Sequence, residues 1–370
     1  MRIVHELDGS DAGGQFLRTA LGLSVAFGDP IRVENVRGDR PDPGLAHQHL
    51  AVLETIADVC DAETSGAELG SESVEFDPGL QEGGELHSYG RGRNRLEGGR
   101  YRVDIGTAGS VTLLFDALVP LAAVLESPLS VTATGGTDVK WSPPIEYFGL
   151  VKLPLLRRFG LVAACEIDRR GFYPDGGGRA TLHLAPSRFD PLDLTERGQL
   201  EGIRLYSTEA AALADSDVAS RQVEGALERL SSVTDEFCAA RASDSDSPTP
   251  LERRETTAAS DSPGSAVVIR IDHETGVSGF TALGERGTPA ERVGAQAADA
   301  AIEFLGGTAP VDRHLADQLL ATLALAGGEL HVPTMTDHVA SSCELLEAFD
   351  VPVEVDRDGA NRRLTVSLGG

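Results

Sequence analysis

One arrangement of elements occurs three times along this chain and limits the folds open to it. In each copy an apolar helical segment leads into a β-rich run, and a second helical segment and a closing strand follow. The first helices span 16–26, 111–124 and 315–326, the β-rich runs 30–36, 128–134 and 329–333, the second helices 45–59, 145–159 and 338–349, and the closing strands 73–76, 179–184 and 363–368. Because each unit must bury an apolar face against another layer, the pattern predicts an α+β fold.

Copies one and two also begin with a strand, at 2–7 and 101–105. With that strand each copy reads as a βαβαββ unit. We expect the three units to form one large domain from residues 1–185 and 280–370, which is within the size that a single chain can bury around a core.

Residues 186–279 interrupt the repeated pattern. They carry their own strand, helix and strand, at 202–207, 216–232 and 266–272. We interpret this region as an inserted, smaller α/β domain. Two polar stretches, 79–99 and 239–265, lack apolar periodicity, and we expect the second, which is rich in Ser, Asp and Thr, to be a mobile loop of the insert.

The charge balance is strongly acidic. The 370 residues include 58 Asp and Glu against 32 Lys and Arg, a net charge of −26, and the only lysines are Lys140 and Lys152. We expect a halophilic protein, whose fold is less stable in dilute buffer than in concentrated KCl. The net charge argues against a nonspecific nucleic-acid coat protein. A small basic pocket remains compatible with this charge, because the Debye length is only ~3 Å at 1 M salt.

Segments for export or membrane insertion are not expected. No apolar run approaches the ~18 residues of a membrane helix, and the chain begins with a strand pattern rather than a signal peptide. The cysteines form no CxxC pair, which argues against zinc and disulfide sites: Cys60, Cys165, Cys238 and Cys343. We expect a cytoplasmic protein without a membrane partner, either a monomer or a homodimer.

Two loops of the first copy have the residue types of an anion site. A glycine loop ending at Gly13 and Gly14 opens into the first helix, where Arg18 lies one turn in. Backbone N–H groups at a helix N-terminus bind phosphate. The next loop carries Arg37 and Arg40 before a Pro-x-Pro-Gly break, and a polar His-Gln-His helix start follows it. A tight turn and a loop salt-bridge network remain the structural alternatives.

The third copy places a histidine at a strand-to-helix junction. His338 follows Asp337 there, and Asp317 with Gln318 begin the first helix of the same copy, where polar residues also serve as caps. The chain has neither a GxxxxGK[ST] loop nor a GxGxxG fingerprint. Because neither lysine lies in a KxDG setting, a covalent nucleotide intermediate would have to form on histidine.

Together these motifs resemble the RNA 3′-terminal phosphate cyclase family. The similarity covers copies one and two and much of copy three, in chain order. The matching runs are DGSDAGGQFLRTALGLS, NVRGDRPDPGLAHQHL, DIGTAGSVTLLF, TGGTDVKWSPP, RGFYPDGGG, HLADQLLATLALAG and TDHVASS. The resemblance implies three βαβαββ repeats with an inserted small domain. It also implies ATP and a divalent metal, Mg or Mn, as cofactors and RNA 3′-phosphate ends as the partner.

The implied reaction has three steps. A histidine attacks the α-phosphorus of ATP, AMP passes to the RNA 3′-phosphate, and the neighbouring 2′-hydroxyl closes a 2′,3′-cyclic phosphate. His338 falls on the family's nucleophile. The residues that fall on positions binding the RNA end and the nucleotide phosphates are Arg18, Arg37, Arg40, Gln48 and His49. The residues on nucleotide-side positions are Asp317, Gln318, Asp116 and His314, and Asp11 is the candidate metal ligand.

Four departures from the family pattern concern the nucleotide and RNA sides. Asp11 lies in a shorter loop that lacks the usual Glu, and His47 replaces an Arg. Asp116 replaces a Gln, and His314 replaces an aromatic residue. A non-catalytic scaffold in ribosomal RNA processing is the main alternative, and His338 argues against it because such relatives lack this nucleophile. An enolpyruvyl transferase, of related architecture, would need lysines that this chain lacks.

Overall fold

The computed structural model describes residues 4–11, 13–79, 95–106, 109–238, 250–356 and 362–367. These residues form a mixed α+β structure in which helices pack against four four-stranded sheets. The predicted fold class is therefore confirmed. No described helix combines the length and hydrophobicity that crossing a membrane requires.

The first sheet comes from the N-terminal elements. These are β1 (His5–Asp8), α1 (Gly14–Phe27), β2 (Ile31–Glu34), α2 (His47–Cys60), β3 (Glu63–Ser65) and β4 (Val74–Asp77). Strand β1 is parallel to β2, β2 is antiparallel to β4, and β4 is antiparallel to β3. Both predicted helices are confirmed to within two residues. Residues 2 and 3 of the predicted first strand lie outside the described residues.

The second sheet repeats this strand order. Its elements are β5 (Arg100–Asp104), α3 (Val111–Leu118), a 3₁₀ turn (Val119–Ala123), β6 (Leu129–Gly135), α4 (Ile145–Tyr147), a π-helical turn (Phe148–Lys152), α5 (Leu153–Arg158), β7 (Ala163–Arg169) and β8 (Gly178–Leu184). Strand β5 is parallel to β6, which is antiparallel to β8, and β8 is antiparallel to β7. The helices are less regular than predicted, because Pro120 and Pro154 supply no N–H group. The Leu150 carbonyl, which would accept that bond from residue 154, accepts one from Arg270 Nη1 at 2.7 Å instead.

After β9 (Leu192–Leu194) the chain builds a separate sheet. Its elements are β10 (Leu200–Ala210), a 3₁₀ turn (Ala211–Ser216), α6 (Val218–Cys238), β11 (Glu252–Ala258), β12 (Ser265–His273), β13 (Gly276–Leu283) and α7 (Ala290–Gly306). The strand order is β11-β10-β12-β13, with β10 parallel to β11. Helices α6 and α7 pack together over this sheet around a core of its own, with Leu205, Val223, Ile269 and Ala297 at its centre.

The remaining sheet has the order of the first two. It contains α8 (Arg313–Gln318), α9 (Leu320–Ala326), β14 (Gly328–Val332), α10 (Asp337–Ala348), β15 (Val353–Asp356) and β16 (Arg362–Val366). Strand β9 is its leading strand, parallel to β14, which is antiparallel to β16, and β16 is antiparallel to β15. A leading strand was predicted only for copies one and two. The leading strand of copy three, β9, was not predicted, because it has only three residues and more than a hundred residues separate it from β14.

One further prediction was wrong, and one helix was not predicted. Residues 252–258, expected in a mobile loop, form the edge strand β11, because their backbone pairs with β10 and Arg204 Nη1 lies 3.1 Å from Glu252 Oε2. Residues 239–249 of that predicted loop, and 80–94 of the other polar stretch, lie outside the described residues. Helix α7 was missed, since its buried face is largely alanine and gives a weak apolar signal.

Helix α1 is central to the molecule. It packs against α2, α3, α9 and α10, and Leu21, Leu118 and Leu323 in this region are fully buried. One hydrophobic core thus runs through the three sheets of like order. This core fixes the relative positions of the N-termini of α1, α8 and α10, which come from distant parts of the sequence.

Candidate active site

The glycine loop before α1 lies close to a side chain from the loop after β2 and to a side chain at the start of α10. A Cβ atom at Gly13 would lie 3.5 Å from Arg40 Nη2 and 3.6 Å from His338 Cε1. Both Arg40 and His338 are exposed. An imidazole and a guanidinium group therefore flank one glycine backbone that faces solvent. A phosphate group lying over Gly13 would be within reach of both side chains.

His338 is held at the N-terminus of α10. The hydroxyl of Thr336 accepts a hydrogen bond from the Val339 N–H at 3.2 Å, which caps the helix two residues before His338. The first-turn N–H groups and the helix dipole favour negative charge at this end. A phosphate placed next to the imidazole would therefore be stabilised by the backbone as well as by Arg40.

The loop that carries Arg40 is braced from within. Arg37 has a left-handed backbone (φ 56°) and donates from Nη1 to the Gly44 carbonyl at 2.8 Å. Gly44 has φ 80° and approaches the Gly70 backbone so closely that a Cβ atom would overlap it. Arg37 is therefore half-buried and fixes the loop, whereas Arg40 presents its guanidinium group to solvent.

His49 lies beneath the glycine loop. Its buried ring packs directly against Gly14, and its Nδ1 accepts a hydrogen bond from the Ala46 N–H at 3.3 Å. Burial, with Arg18 and Arg37 nearby, lowers the pKa of His49 to about 3. The imidazole is therefore neutral at physiological pH, and the acceptor role of Nδ1 puts its proton on Nε2.

We expect Gly14→Ala to damage the site, because the new methyl group overlaps the His49 ring. The expected loss is about 1–3 kcal/mol of unfolding free energy, measured by denaturant titration. Gly306→Ala is the matched control, since nothing lies within 4 Å of a Cβ atom there. If Gly14→Ala were as stable as Gly306→Ala, the proposed packing of His49 on Gly14 would be wrong.

Gln48 joins the first sheet's helix to the second sheet's unit. Its Nε2 donates to the Ser110 carbonyl at 3.2 Å, and its Oε1 accepts from the Ser110 N–H. Ser110 in turn caps α3, where its Oγ accepts from the Leu113 N–H. Both ends of the Gln48 amide are thus engaged by one backbone, and the residue acts as a clamp between two units.

A small polar cavity opens next to these groups. It lies between α1, α3, the π-helical turn and the α8–α9 junction, and its polar lining includes Gln15, Arg18, Asp116, Lys152, Asp317 and Gln318. Burial lowers the pKa of Arg18 to about 10, and Asp317 opposes this shift. Arg18 therefore remains a cation at neutral pH. Predicted residues from the first, second and third copies meet in this cavity.

Two acceptor atoms in the cavity have no donor. Asp317 Oδ1 and Gln318 Oε1 are buried and receive no hydrogen bond from the described residues. Burial raises the pKa of Asp317, while a hydrogen bond from Gln15 and the charge of His338 oppose the increase. Unsatisfied buried acceptors are costly unless a ligand or water donates to them. The hydroxyl and amino groups of an adenosine moiety would supply such donors, so the chemistry of these two acceptors is compatible with an adenosine ligand.

Asp312 fixes the helix that carries these acceptors. Its Oδ1 accepts from the backbone N–H groups of His314 and Leu315 at 2.8 and 3.0 Å, and the Tyr147 hydroxyl donates to the same carboxylate at 2.8 Å. His314 is exposed, with its ring edge-on to Tyr147 at 6.5 Å. His314 thus lies on the same helix as Asp317 and Gln318 but does not line the cavity itself.

Asp11 is exposed and lies beside Asp39. Hydrogen bonding with Asp39 and repulsion from it raise the pKa of Asp11. Within the described residues no group of three or more His, Cys, Asp or Glu could hold a metal ion. Two adjacent carboxylates nevertheless suit Mg²⁺ or Mn²⁺, which commonly takes one or two carboxylates and completes its shell with substrate phosphates and water.

Several residues of this site were not among the predicted site residues. Asp312 precedes a helix and could have been found by the N-cap rule. Ser110 and Asp39 carry no separate signal, because their roles depend on loops that meet only in the folded chain. Lys152 lay in an apolar helical run, and its being one of only two lysines was the one available clue.

An exposed imidazole at a helix N-terminus, with a guanidinium group beside the same glycine, has the groups used by enzymes that transfer phosphorus-containing groups. Residues 10–355 match the family described as RNA 3′-terminal phosphate cyclase. A protein of that name from Halobacterium salinarum is 44% identical over 359 residues, covering 96% of this chain and 98% of the relative. Namesakes from Methanopyrus kandleri and Thermococcus onnurineus are 38% and 40% identical, covering 96% and 93% of this chain and 95% and 92% of the relatives. The chain belongs to the RNA 3′-terminal phosphate cyclase family.

Proposed function

We propose that this protein converts an RNA 3′-terminal phosphate into a 2′,3′-cyclic phosphate through a covalent histidine–AMP adduct. The observation that carries the proposal is the convergence of His338 and Arg40 on Gly13. Beside it lies the cavity with unsatisfied acceptors at Asp317 and Gln318. Family membership supplies the reaction class.

In the first step an imidazole nitrogen of His338 forms a bond to the α-phosphorus of ATP. The bond from that phosphorus to diphosphate breaks, and the second ring nitrogen keeps its proton, so that a neutral imidazole can leave in the second step. A neutral imidazole is a competent nucleophile for such a step. In the proposal, Arg18 and the α10 N-terminus offset the charge that develops on the phosphate oxygens.

In the second step an oxygen of the RNA 3′-phosphate attacks the adenylate phosphorus, and the His338 nitrogen leaves. In the third step the 2′-hydroxyl attacks the activated 3′-phosphorus, loses its proton and expels AMP. Two phosphate groups must approach each other, so cationic side chains are needed. Arg40 is exposed where it can contact the RNA phosphate, and Arg37 fixes its loop. Gln48 and His49 support that surface from beneath.

The nucleoside is proposed to lie against α8. Asp317 and Gln318 accept from its hydroxyl or amino groups, and His314 borders the base. Asp116, on α3, lines the same cavity. Asp11 with Asp39 would hold a divalent metal, which supplies neutralisation of the diphosphate leaving group.

We also propose that the three sheets of like order are βαβαββ repeats and that the remaining sheet is an inserted domain. Shared strand order and direction support the first statement, and the separate hydrophobic core supports the second. Because α7 packs into that core, the insert extends to Gly306 rather than ending at residue 279. Strand β9 belongs to the third repeat.

We place this reaction in the cytoplasm of a halophilic cell. The net charge of −26 supports the salt adaptation, and Cys60, Cys165 and Cys343 are free thiols. One chain contributes every residue of the proposed site, so the reaction does not require a homodimer.

The test is incubation of the protein with α-labelled ATP and Mg²⁺ or Mn²⁺ in concentrated KCl. An acid-labile, base-stable label on the protein is expected, followed by release of labelled AMP when a 3′-phosphorylated oligoribonucleotide is added. The oligonucleotide should become resistant to phosphatase as its end cyclises. If no adduct formed with Mg²⁺ and none formed with Mn²⁺, the result would favour the scaffold alternative.

A further inference from the structure

A buried ion pair forms one wall of the cavity next to Arg18 and Asp317. Lys152 Nζ contacts the Asp116 carboxylate, and the side chains are 3% and 24% exposed. Asp116 thus remains accessible from the cavity, whereas the Lys152 ammonium is enclosed behind it. Both residues line the same cavity as the acceptors of α8.

The backbone at Lys152 is unusual. Lys152 ends a π-helical turn, Phe148–Lys152, in a segment that otherwise continues as α-helix into α5. A π turn widens the helix locally and such turns are frequent at functional sites. The other lysine, Lys140, is instead exposed and pairs with Glu285 at 2.8 Å. Lys140 is therefore a suitable control for substitutions of the buried Lys152.

The charges around the cavity explain why a lysine is needed there. Asp116 and Asp317 bring two carboxylates to a cavity proposed to accept a polyanion. Arg18 lies near Asp317, and the charges of Lys152 and Asp317 also stabilise each other. Burial lowers the pKa of Lys152 to about 7, and the charge of Asp317 opposes this shift. Without Lys152, Asp116 would repel the phosphates of a bound nucleotide.

We propose that Lys152 is a positioning residue of the nucleotide site: it neutralises and orients Asp116, so that this carboxylate can face ATP as a hydrogen-bond acceptor. The inference rests on the proposed function. It assigns the effect of Lys152 to ATP and not to the RNA 3′-phosphate, because Lys152 lines the cavity at α8 whereas Arg40 lies over Gly13.

Four variants test the pair: Lys152→Met, Lys152→Gln, Asp116→Asn and the double variant Asp116→Asn/Lys152→Met. Lys140→Met is the matched control. For each, the KM for ATP is measured by adduct formation and the KM for a 3′-phosphorylated oligoribonucleotide by cyclisation, in the same concentrated KCl. Thermal unfolding reports which variants fold.

Removing one charge of the pair should raise the KM for ATP on the order of tenfold or more, since one buried charge is left uncompensated. The KM for RNA should stay within about twofold, because Lys152 lines the cavity at α8 whereas Arg40, the proposed contact of the RNA phosphate, lies beside Gly13. The double variant should recover most of the ATP affinity, and Lys140→Met should match the wild type. Lys152→Gln keeps a donor to Asp116 without the charge, so it still tests the proposal if Lys152→Met does not fold.

The outcomes separate the two levels of inference. A wild-type protein without an AMP adduct contradicts the proposed function itself. A wild type that forms the adduct, with Lys152→Gln indistinguishable from Lys140→Met, overturns the role of Lys152 alone. Equal increases of both KM values, or a double variant as impaired as the single ones, would assign the pair a structural role and overturn it as well.

Discussion

Replacing His338 by alanine is expected to abolish transfer of labelled AMP from ATP to the protein. The methyl group leaves no nucleophile at the N-terminus of α10, and the exposed position leaves the hydrophobic core untouched. Cyclisation of a 3′-phosphorylated oligoribonucleotide with ATP should fall by at least about three orders of magnitude, as when the nucleophile of a covalent mechanism is removed. Adduct formation and cyclisation are measured on the same preparation.

His183→Ala is the control for the loss of a histidine. His183 lies on β8, is 39% exposed and faces Glu166. It should retain full adduct formation, and His338→Ala should unfold within about 0.5 kcal/mol of the wild type, as is usual for surface substitutions. An adduct of wild-type yield in His338→Ala would show that another residue is the nucleophile.

Replacing Arg40 by alanine is expected to spare the adduct and to cripple cyclisation. Arg40 is exposed beside Gly13 and, in the proposal, contacts the RNA phosphate. Loss of one such charge-stabilising group costs on the order of 10²–10³ in rate. The AMP adduct should still form to at least half the wild-type extent, because Arg18 remains in the cavity. Arg40→Lys should recover part of the rate but not the bidentate contact.

Arg179→Ala serves as the control for the loss of a guanidinium group. Arg179 is exposed on β8 of the second sheet, whereas the loop of Arg40 follows β2 of the first sheet. The Arg179 Nε atom lies 3.1 Å from Asp168 Oδ2 on the neighbouring strand β7. It should cyclise RNA at the wild-type rate. Wild-type cyclisation in Arg40→Ala would mean that the RNA phosphate binds elsewhere, even if His338 is the nucleophile.

Much of the site could be predicted because its parts carry local signals. The glycine loop and the arginine loop each lie between a strand and a helix, and breaks at Gly and Pro fix those boundaries. His338 follows a helix-capping Thr336, so its position at a helix start was readable. Helices α1 and α2 have wide apolar faces and were located to within two residues.

Other features depended on contacts between distant parts of the chain. Strand β9 is three residues long and becomes a strand only by pairing with β14. Strand β11 is polar and exposed, and its pairing with β10 overrides its loop-like composition. The partnership of Lys152 with Asp116 joins residues 36 positions apart through a π-helical turn, which no periodicity predicts.

By itself, the sequence determined the α+β class, most of the helices and strands, the acidic composition and the residue types available for phosphate chemistry. These follow from local propensities and hydrophobic periodicity, which act over a few residues. Only the tertiary structure decided that Gly13, Arg40 and His338 meet, that His49 is buried and neutral, and that Lys152 faces Asp116. The reason is that packing of one core around α1 sets the distances between these groups, and those distances depend on every helix that contacts it.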